Sequence, residues 1–283
     1  MPYARSREVS LYYEELGEGE PLLLIMGQGS DHHGWDEVRD DFATTHRVIV
    51  YDHRGTGQSD KPREPAYSLS MFAADAVAIL DHLSIERAHV YGISMGGRIA
   101  QWLGIDYPGR VGSLVLGATT PGNRKGVRRP PEVDEVMSTR PQDPEQALRF
   151  LMEQMVSPGY IDSHPEYVAR MRERRLNPIP DYAQRMHYLA SEAHDSWDRL
   201  PEISAPTLVI HGDQDLVNPT ENAQLLAFRI PGAELCLVPG GRHGYFIECR
   251  EAASPVVLDF LARHPLDPSG LASNRDGGQS SSG

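Results

Sequence analysis

The side chains best suited to chemistry are one serine, two aspartates and one histidine, each of which follows a short apolar run. Ser94 lies in a Gly-x-Ser-x-Gly pattern, Asp213 and Asp215 follow a run that ends in His-Gly, and His243 follows Pro-Gly-Gly-Arg. A serine hydroxyl becomes a nucleophile when a histidine takes its proton and a carboxylate orients that histidine. Histidine suits the role of base because its pKa lies near neutral pH. These residue types therefore indicate nucleophilic acyl transfer.

The segment around Ser94 has the features of a sharp turn from strand to helix. The apolar run over residues 88–91 stops at Gly92, and a stretch of helical character follows over residues 98–105. Glycines on both sides of the serine let strand and helix approach closely around a strained backbone. Such a nucleophile elbow raises the hydroxyl above the sheet edge. The backbone N–H of Met95 is then expected to point toward an oxyanion.

Apolar runs and helical segments alternate along most of the chain. Predicted strands cover residues 9–16, 21–26, 47–51, 88–91, 111–116, 206–211 and 233–238. Predicted helices cover residues 70–83, 98–105, 220–228 and 252–263, and Ser70 is the expected N-cap of the first. This order favours an α/β fold with a mostly parallel central sheet flanked by helices. Residues 9–16 alternate in polarity and are expected to form an antiparallel edge strand.

The loops after the predicted strands carry further candidates. Residues 27–29 read Gly-Gln-Gly, and small residues there would let backbone N–H groups point into a site. The N–H of Gln28 is the expected second oxyanion donor. Asp52 and Arg54 follow the next strand and are expected to hold their own loop together. Ligands bind beyond the carboxyl ends of parallel strands, so we expect Gln28 and Ser94 to share one site.

Two carboxylates compete for the role of the acid that orients His243. The strand turns at Gly212, and Asp215 lies deeper in the following loop than Asp213, which favours Asp215. Asp213 is then expected to cap the loop. The order serine, aspartate, histidine along the chain is the one expected for this architecture.

The alternation of strands and helices is interrupted between residues 120 and 200. Helical periodicity recurs over residues 144–156, 165–176 and 181–194, and the segment contains no strand pattern. We interpret it as a helical cap inserted over the sheet edge. The predicted division is a first core part at 1–119, the cap at 120–200, a second core part at 201–266 and a disordered tail at 267–283.

Candidates for contact with a substrate are less specific. His32 follows the glycine loop, and Trp197 is one of several apolar side chains near the cap that favour a substrate with a hydrophobic body. Each also suits a packing role. His187 and His194 could share a helix face, but no third ligand is evident, so we predict no metal site. No cofactor is predicted.

The composition restricts the class of partner. The 283 residues carry a formal net charge of −13, spread along the chain, which argues against binding to nucleic acid or to an anionic membrane. The first apolar run, residues 22–26, is too short for a signal-peptide core or a membrane span. We expect a cytoplasmic protein that acts on a small molecule. Its oligomeric state does not follow from the sequence.

These motifs together resemble the α/β-hydrolase superfamily over nearly the whole chain. The matching pieces are Gly27-Gln28-Gly29, the loop at 52–60, Gly92-Ile93-Ser94-Met95-Gly96-Gly97, residues 211–215 with Pro219, and Gly241-Arg242-His243. The resemblance implies that Asp215 is the acid and that residues 120–200 form the cap. Many members carry His-Gly at the oxyanion loop, whereas this chain has Met26-Gly27. That form, with the sequence at 51–54, is similar to the aclacinomycin methylesterase and enol-lactonase types.

The expected activity is hydrolysis of an ester or lactone of a small, partly hydrophobic molecule. It would proceed through a triad of Ser94, His243 and Asp215 and an acyl-enzyme. Serine at this position excludes the chemistry of relatives that use an aspartate nucleophile, such as epoxide hydrolases and haloalkane dehalogenases. Carbon–carbon bond hydrolases and cofactor-free perhydrolases share the triad and remain alternatives. A ligand receptor or a non-hydrolytic cyclase with a retained triad is the alternative of another class.

Overall fold

The computed structural model describes residues 2–138, 143–174 and 178–266, so the predicted tail at 267–283 lies outside the described part. Eight strands in that part form one sheet, in the order β1-β2-β4-β3-β5-β6-β7-β8. The strands are β1 Tyr3–Ser6, β2 Val9–Leu16, β3 Glu20–Ile25, β4 His46–Tyr51, β5 Ala88–Ile93, β6 Val111–Gly117, β7 Thr207–Gly212 and β8 Glu234–Val238. Every neighbouring pair from β4 to β8 is parallel. The predicted fold class is confirmed.

The antiparallel strand β2 is present with the predicted bounds, but it does not lie at the edge. β1 pairs with it on the outer side, from Tyr3 opposite Tyr12 to Ser6 opposite Val9. The prediction of an edge strand at 9–16 was therefore wrong. β1 has only four residues and buries two of them, Ala4 and Ser6, so it lacks the apolar run that reveals the other strands.

Helices cover both faces of the sheet, and further helices form the segment in which the sequence predicts a cap. They are α1 Arg39–Ala43, α2 Leu69–His82, α3 Met95–Asp106, α4 Pro131–Ser138, α5 Pro144–Met155, α6 Pro158–Ser163, α7 Pro165–Arg174, α8 Asp181–Glu192, α9 Glu221–Arg229, α10 Tyr245–Glu248 and α11 Arg250–Ala262. The N-cap of α2 is Ser68, whose Oγ accepts the Met71 N–H at 3.2 Å. The prediction of Ser70 was wrong because a cap needs extended backbone, which Ser68 has and a residue inside the helix does not.

Two buried clusters lie on opposite faces of the sheet. One includes Phe72 of α2 and Leu103 of α3, and the other includes Phe42 of α1 and Phe260 of α11. Every residue of the central strand β5 is buried between them. Fully burying one such aromatic or leucine side chain stabilises the fold by about 1.5–3 kcal/mol. The sheet is thus a rigid base, and the loops at the carboxyl ends of its strands are held in place by it.

The helices α4 to α8 occupy the segment in which the sequence predicts a cap. They have their own small buried cluster, which includes Leu148, Met152 and Ile161. In the described part of this segment, the sheet-type contact is one isolated bridge between Gly122 and Asp195. The bridge brings the two ends of the segment together, as an insertion requires. The domain boundaries themselves stay a prediction.

Candidate active site

Ser94 lies between β5 and α3 in a strained backbone conformation, with φ 58° and ψ −117°. A positive φ is costly for a residue with a side chain and persists only where its surroundings enforce it. Here the Ser94 N–H donates to Gly117 O at 2.9 Å, and the Ser94 carbonyl accepts the Thr119 hydroxyl at 2.7 Å. The end of β6 therefore holds the turn in the strained form expected of a nucleophile elbow.

The two glycines of the Gly-x-Ser-x-Gly pattern are required by close backbone approaches. A Cβ at Gly92 would lie 2.2 Å from the carbonyl oxygen of Gly96. A Cβ at Gly96 would lie 2.0 Å from the carbonyl oxygen of Ile25, at the end of β3. The elbow is thus pressed against the start of the neighbouring glycine loop, with no space for a side chain on either side.

The predicted oxyanion loop lies directly beside the serine. A Cβ at Gly27 would be 3.3 Å from Ser94 Cβ and 3.8 Å from its Oγ. Within the part of the chain that the structure describes, the N–H groups of Gln28 and Met95 donate no hydrogen bond. Gln28 belongs to the loop after β3, and Met95 to the first turn of α3. Two N–H groups that are free in this way suit the predicted role of oxyanion donors, which stays a prediction.

His187 of α8 ties this loop to the helices above it. Its Nδ1 accepts the Gly29 N–H at 3.5 Å, and its Nε2–H donates to the Arg54 carbonyl oxygen at 2.8 Å. Burial lowers the pKa of His187 to about 3, with a smaller contribution from His53, so the ring is neutral at pH 7. The sequence analysis considered this histidine only as a metal ligand, because its contacts come from segments more than a hundred residues away.

His243 and Asp215 meet at the carboxyl ends of β8 and β7. His243 Nδ1 lies 2.8 Å from Asp215 Oδ2, and both residues are 4% exposed. Asp215 Oδ1 accepts the backbone N–H groups of Val217 at 2.8 Å and Asn218 at 2.9 Å. Burial alone would raise the pKa of Asp215, but the His243 and His211 rings hold that pKa well below its usual range. A charged carboxylate therefore orients the imidazole.

His211 is a contact of this carboxylate that the sequence analysis did not single out. It is the penultimate residue of β7, before Gly212, and its Nε2 lies 3.0 Å from Asp215 Oδ2. The same nitrogen lies 2.7 Å from the Asn218 carbonyl oxygen. In the sequence, the histidine and the aspartate are four residues apart. This spacing does not predict a contact, because the conformation of the turn between them cannot be read from the sequence.

The loop that carries His243 is held from two sides. The Arg242 N–H donates to Glu248 Oε1 at 2.7 Å, and the Ser157 N–H donates to Glu248 Oε2 at 2.7 Å. The Gly244 N–H donates to the Met155 carbonyl oxygen at the end of α5. One carboxylate therefore joins the histidine loop to the segment between α5 and α6.

Ser94 and His243 belong to the carboxyl edge of the same parallel sheet. Ser94 Oγ is partly exposed and forms no hydrogen bond with His243 or with any other described residue. Catalytic hydrogen bonds are often long without a substrate and tighten in the complex. The contact between the hydroxyl and the imidazole thus stays a prediction.

The remaining sequence candidates take structural contacts. Asp213 is exposed and its Oδ1 accepts the Gly240 N–H at 2.8 Å, a loop cap as expected. Asp52 Oδ1 accepts the backbone N–H of His32 at 2.8 Å, and Asp52 Oδ2 accepts the Gln58 N–H at 2.7 Å. Arg54 reaches Asp75 of α2. Asp52 and Arg54 therefore hold their loop.

Neither predicted substrate contact is supported by its surroundings. His32 is 2% exposed, with Nδ1 at 2.7 Å from Asp52 Oδ1 and Nε2 at 3.3 Å from Glu14 Oε1, so both ring nitrogens already face carboxylates. Trp197 packs against the core, with the Arg229 guanidinium 5.4 Å from its ring centre. Their roles in substrate binding stay predictions, and the contacts favour packing roles.

The helices of the described segments include none long and apolar enough to cross a membrane.

Comparisons with known proteins agree with the geometry. A family model of the alpha/beta hydrolase fold matches residues 20–248. The chain is 31% identical over 267 residues to a 2-hydroxy-6-oxononadienedioate/2-hydroxy-6-oxononatrienedioate hydrolase from Burkholderia vietnamiensis, covering 90% of this chain and 92% of that protein. It is 30% identical over 230 residues to 3-oxoadipate enol-lactonase 2 from Acinetobacter baylyi, covering 80% and 83%. A solved structure of an N-acyl homoserine lactone degrading enzyme superimposes with a TM-score of 0.79 at 34% identity, covering 92% of this chain and 100% of that one. The chain therefore belongs to the α/β-hydrolase family of enzymes.

Proposed function

We propose that this protein is a serine hydrolase that cleaves an ester or lactone of a small, partly hydrophobic molecule. The observation that carries the proposal is the buried hydrogen bond of 2.8 Å between His243 Nδ1 and Asp215 Oδ2. An imidazole whose Nδ1–H is held by a charged carboxylate keeps Nε2 as its basic nitrogen. The strained elbow at Ser94 offers a hydroxyl at the same edge of the sheet.

The mechanism follows the roles of these groups. Ser94 Oγ attacks the substrate carbonyl carbon while His243 Nε2 takes the hydroxyl proton, and Asp215 stabilises the resulting imidazolium. The N–H groups of Gln28 and Met95 stabilise the tetrahedral oxyanion. His243 returns the proton to the leaving alkoxide, which leaves an acyl-enzyme on Ser94. Water, deprotonated by His243, then hydrolyses that ester and frees the acid product.

Ester or lactone hydrolysis is favoured by the relatives. Two of them are named for work on lactones, an enol-lactonase and an N-acyl homoserine lactone degrading enzyme. A lactone is an internal ester, so one elbow and one pair of N–H donors serve both substrate types without further groups.

The deciding experiment replaces Ser94 by alanine. The S94A variant should lose roughly 10³-fold or more in kcat on p-nitrophenyl esters or simple lactones, because removal of the nucleophile leaves only binding and oxyanion stabilisation. S70A, which removes an exposed serine inside α2, is the matched control and should keep wild-type rates. A folded S94A variant that retains most of the activity would overturn the proposal.

Carbon–carbon bond hydrolysis is the second candidate. A hydrolase of a dienedioate substrate is 31% identical over 90% of this chain, and fold alone does not separate the two reactions. A panel that sets p-nitrophenyl esters and lactones against vinylogous diketones distinguishes them. Turnover of the diketones alone would favour the second candidate.

A further inference from the structure

The conformation of His211 defines which of its nitrogens carries a proton. Nε2 lies 2.7 Å from the Asn218 carbonyl oxygen and 3.0 Å from Asp215 Oδ2, and both of these atoms are acceptors. Nε2 must therefore be the donor. Nδ1 is buried and has no hydrogen-bond partner among the residues that the structure describes. A second proton there would be buried without an acceptor, so the geometry selects the neutral Nε2–H form.

The Asp215 oxygen that His211 contacts is the one that pairs with His243. Asp215 Oδ2 lies between the two imidazoles, at 3.0 Å from His211 Nε2 and 2.8 Å from His243 Nδ1. Asp215 Oδ1 is occupied by two backbone N–H groups. Three hydrogen bonds and the contact with His211 therefore share the negative charge that could stabilise a protonated His243.

We propose that His211 is a positioning residue that tunes His243 through the shared Asp215 oxygen. Its Nε2–H donates to the Asn218 carbonyl oxygen and also lies 3.0 Å from Oδ2, where the positive end of the N–H dipole offsets part of the carboxylate charge and makes the imidazolium form of His243 less favourable. His243 is then free of its proton, and ready to act as a base, at a lower pH than it would be beside Asp215 alone. This inference rests on the proposed function of Ser94, His243 and Asp215.

Other ionisable groups near the pair are engaged elsewhere. The Tyr245 hydroxyl of α10 pairs with the Tyr91 hydroxyl at 2.9 Å, and an Arg98 Nη2–H of α3 donates to Asn218 Oδ1 at 3.3 Å. Glu248 accepts the Arg242 N–H, and Asp213 caps its own loop. The electrostatic effect of these groups on Asp215 and His243 is the same in every variant of His211. A comparison among such variants therefore isolates the contact between His211 and Asp215 Oδ2.

A matched pair of variants tests the proposal. In H211Q the side-chain amide can place an N–H where Nε2 lies, whereas H211M has a side chain of similar length without a donor. The acid limb of kcat/KM should move up by about one pH unit in H211M, the equivalent of one hydrogen bond to a charged group, and should stay at the wild-type position in H211Q. A purely structural loss would lower the rate at every pH without moving the limb. An unmoved limb in H211M, or an equal shift in both variants, would overturn the proposal.

Measurement of the wild-type protein keeps the test independent of how the variants fold. The ring nitrogen resonances of His211 should report the neutral Nε2–H form throughout the range of about pH 5 to 9. An Nδ1–H form of His211, or titration of His211 in step with His243, would contradict the inference. The proposed hydrolase function fails on a different result, an active S94A variant, so the two failures are distinguishable.

Discussion

Asp215 has several polar contacts besides the hydrogen bond with His243. Two backbone N–H groups fix one oxygen and two imidazoles share the other. This set of donors explains why a fully buried carboxylate stays charged, since each donor stabilises the anion that burial disfavours. The two aspartates of the loop are therefore unequal, although the sequence separates them by one residue only.

The inequality predicts opposite results for one substitution at the two positions. D215N should lower kcat by roughly 10⁴-fold, because an amide at this position favours the wrong tautomer of His243. D213N should stay close to wild type, since Asp213 is exposed and only caps the Gly240 N–H. Ester turnover with both variants is the measurement. Equal losses would assign the role of the acid elsewhere.

The residues of the site were predicted from sequence to different degrees. Ser94 and Asp215 follow strands whose residues are all buried, and His243 follows the partly exposed strand β8. Parallel strands bring such positions to one edge, so the contact between Asp215 and His243 could be predicted. His211 and His187 could not be found in this way. Each acts through a contact with a distant loop or a turn, and such a contact depends on how the elements pack rather than on local spacing.

At the scale of elements, the elbow joins β5, α3 and the end of β3 without space between them. G96A places a Cβ 2.0 Å from the Ile25 carbonyl oxygen, so the backbone must shift. We expect the free energy of unfolding to fall by at least about 2 kcal/mol, with loss of activity. G109A is the matched control, since a Cβ there meets nothing within 4 Å, and it should unfold like wild type. Chemical denaturation compares the two.

His187 connects helix α8 to the loops after β3 and β4, and its contribution to the free energy of unfolding depends on pH. The folded-state pKa of about 3 lies below the ordinary value of 6.5, so this contribution to stability is present above about pH 6.5 and is lost as the pH falls toward 3. The loss amounts to about 1.4 kcal/mol per pH unit.

The check is the free energy of unfolding measured against pH. H187Q should show a slope smaller than wild type by about one bound proton between roughly pH 6 and 4. H33Q, which removes a histidine that is about half exposed, is the control measured beside it. A wild-type slope in H187Q would mean that the buried ring does not take up a proton on unfolding.

The buried strands were predicted within one or two residues because a continuous apolar run needs burial on both faces. The missed elements, which include the helices α1 and α10, are all short. β1 buries two residues, and α4 and α6 are short helices that begin at prolines, with α6 capped by Ser157. Such short elements are stabilised by packing against neighbouring elements. Their own sequences therefore show little of the apolar periodicity from which helices and strands are predicted.

At the scale of the whole molecule, the last described residue, Leu266, packs against the amino ends of the central strands. The Leu266 N–H donates to Glu20 Oε1 at 2.9 Å, and its side chain is buried against Gly112. L266A should therefore lower the free energy of unfolding by about 2–5 kcal/mol. A chain that ends at Leu266 should melt at the wild-type temperature, since the sequence predicts no order after it. A large loss on that truncation would contradict the predicted tail.

The bridge between Gly122 and Asp195 has a consequence for how such enzymes diversify. The chain leaves the sheet layer and returns to it at adjoining points, since the Ser196 N–H also donates to the Pro121 carbonyl oxygen at 3.0 Å. A different set of helices can therefore be spliced in between these points without moving any strand end. Exchange of one contiguous segment of the gene can in this way change which substrates reach the same residues at the strand ends.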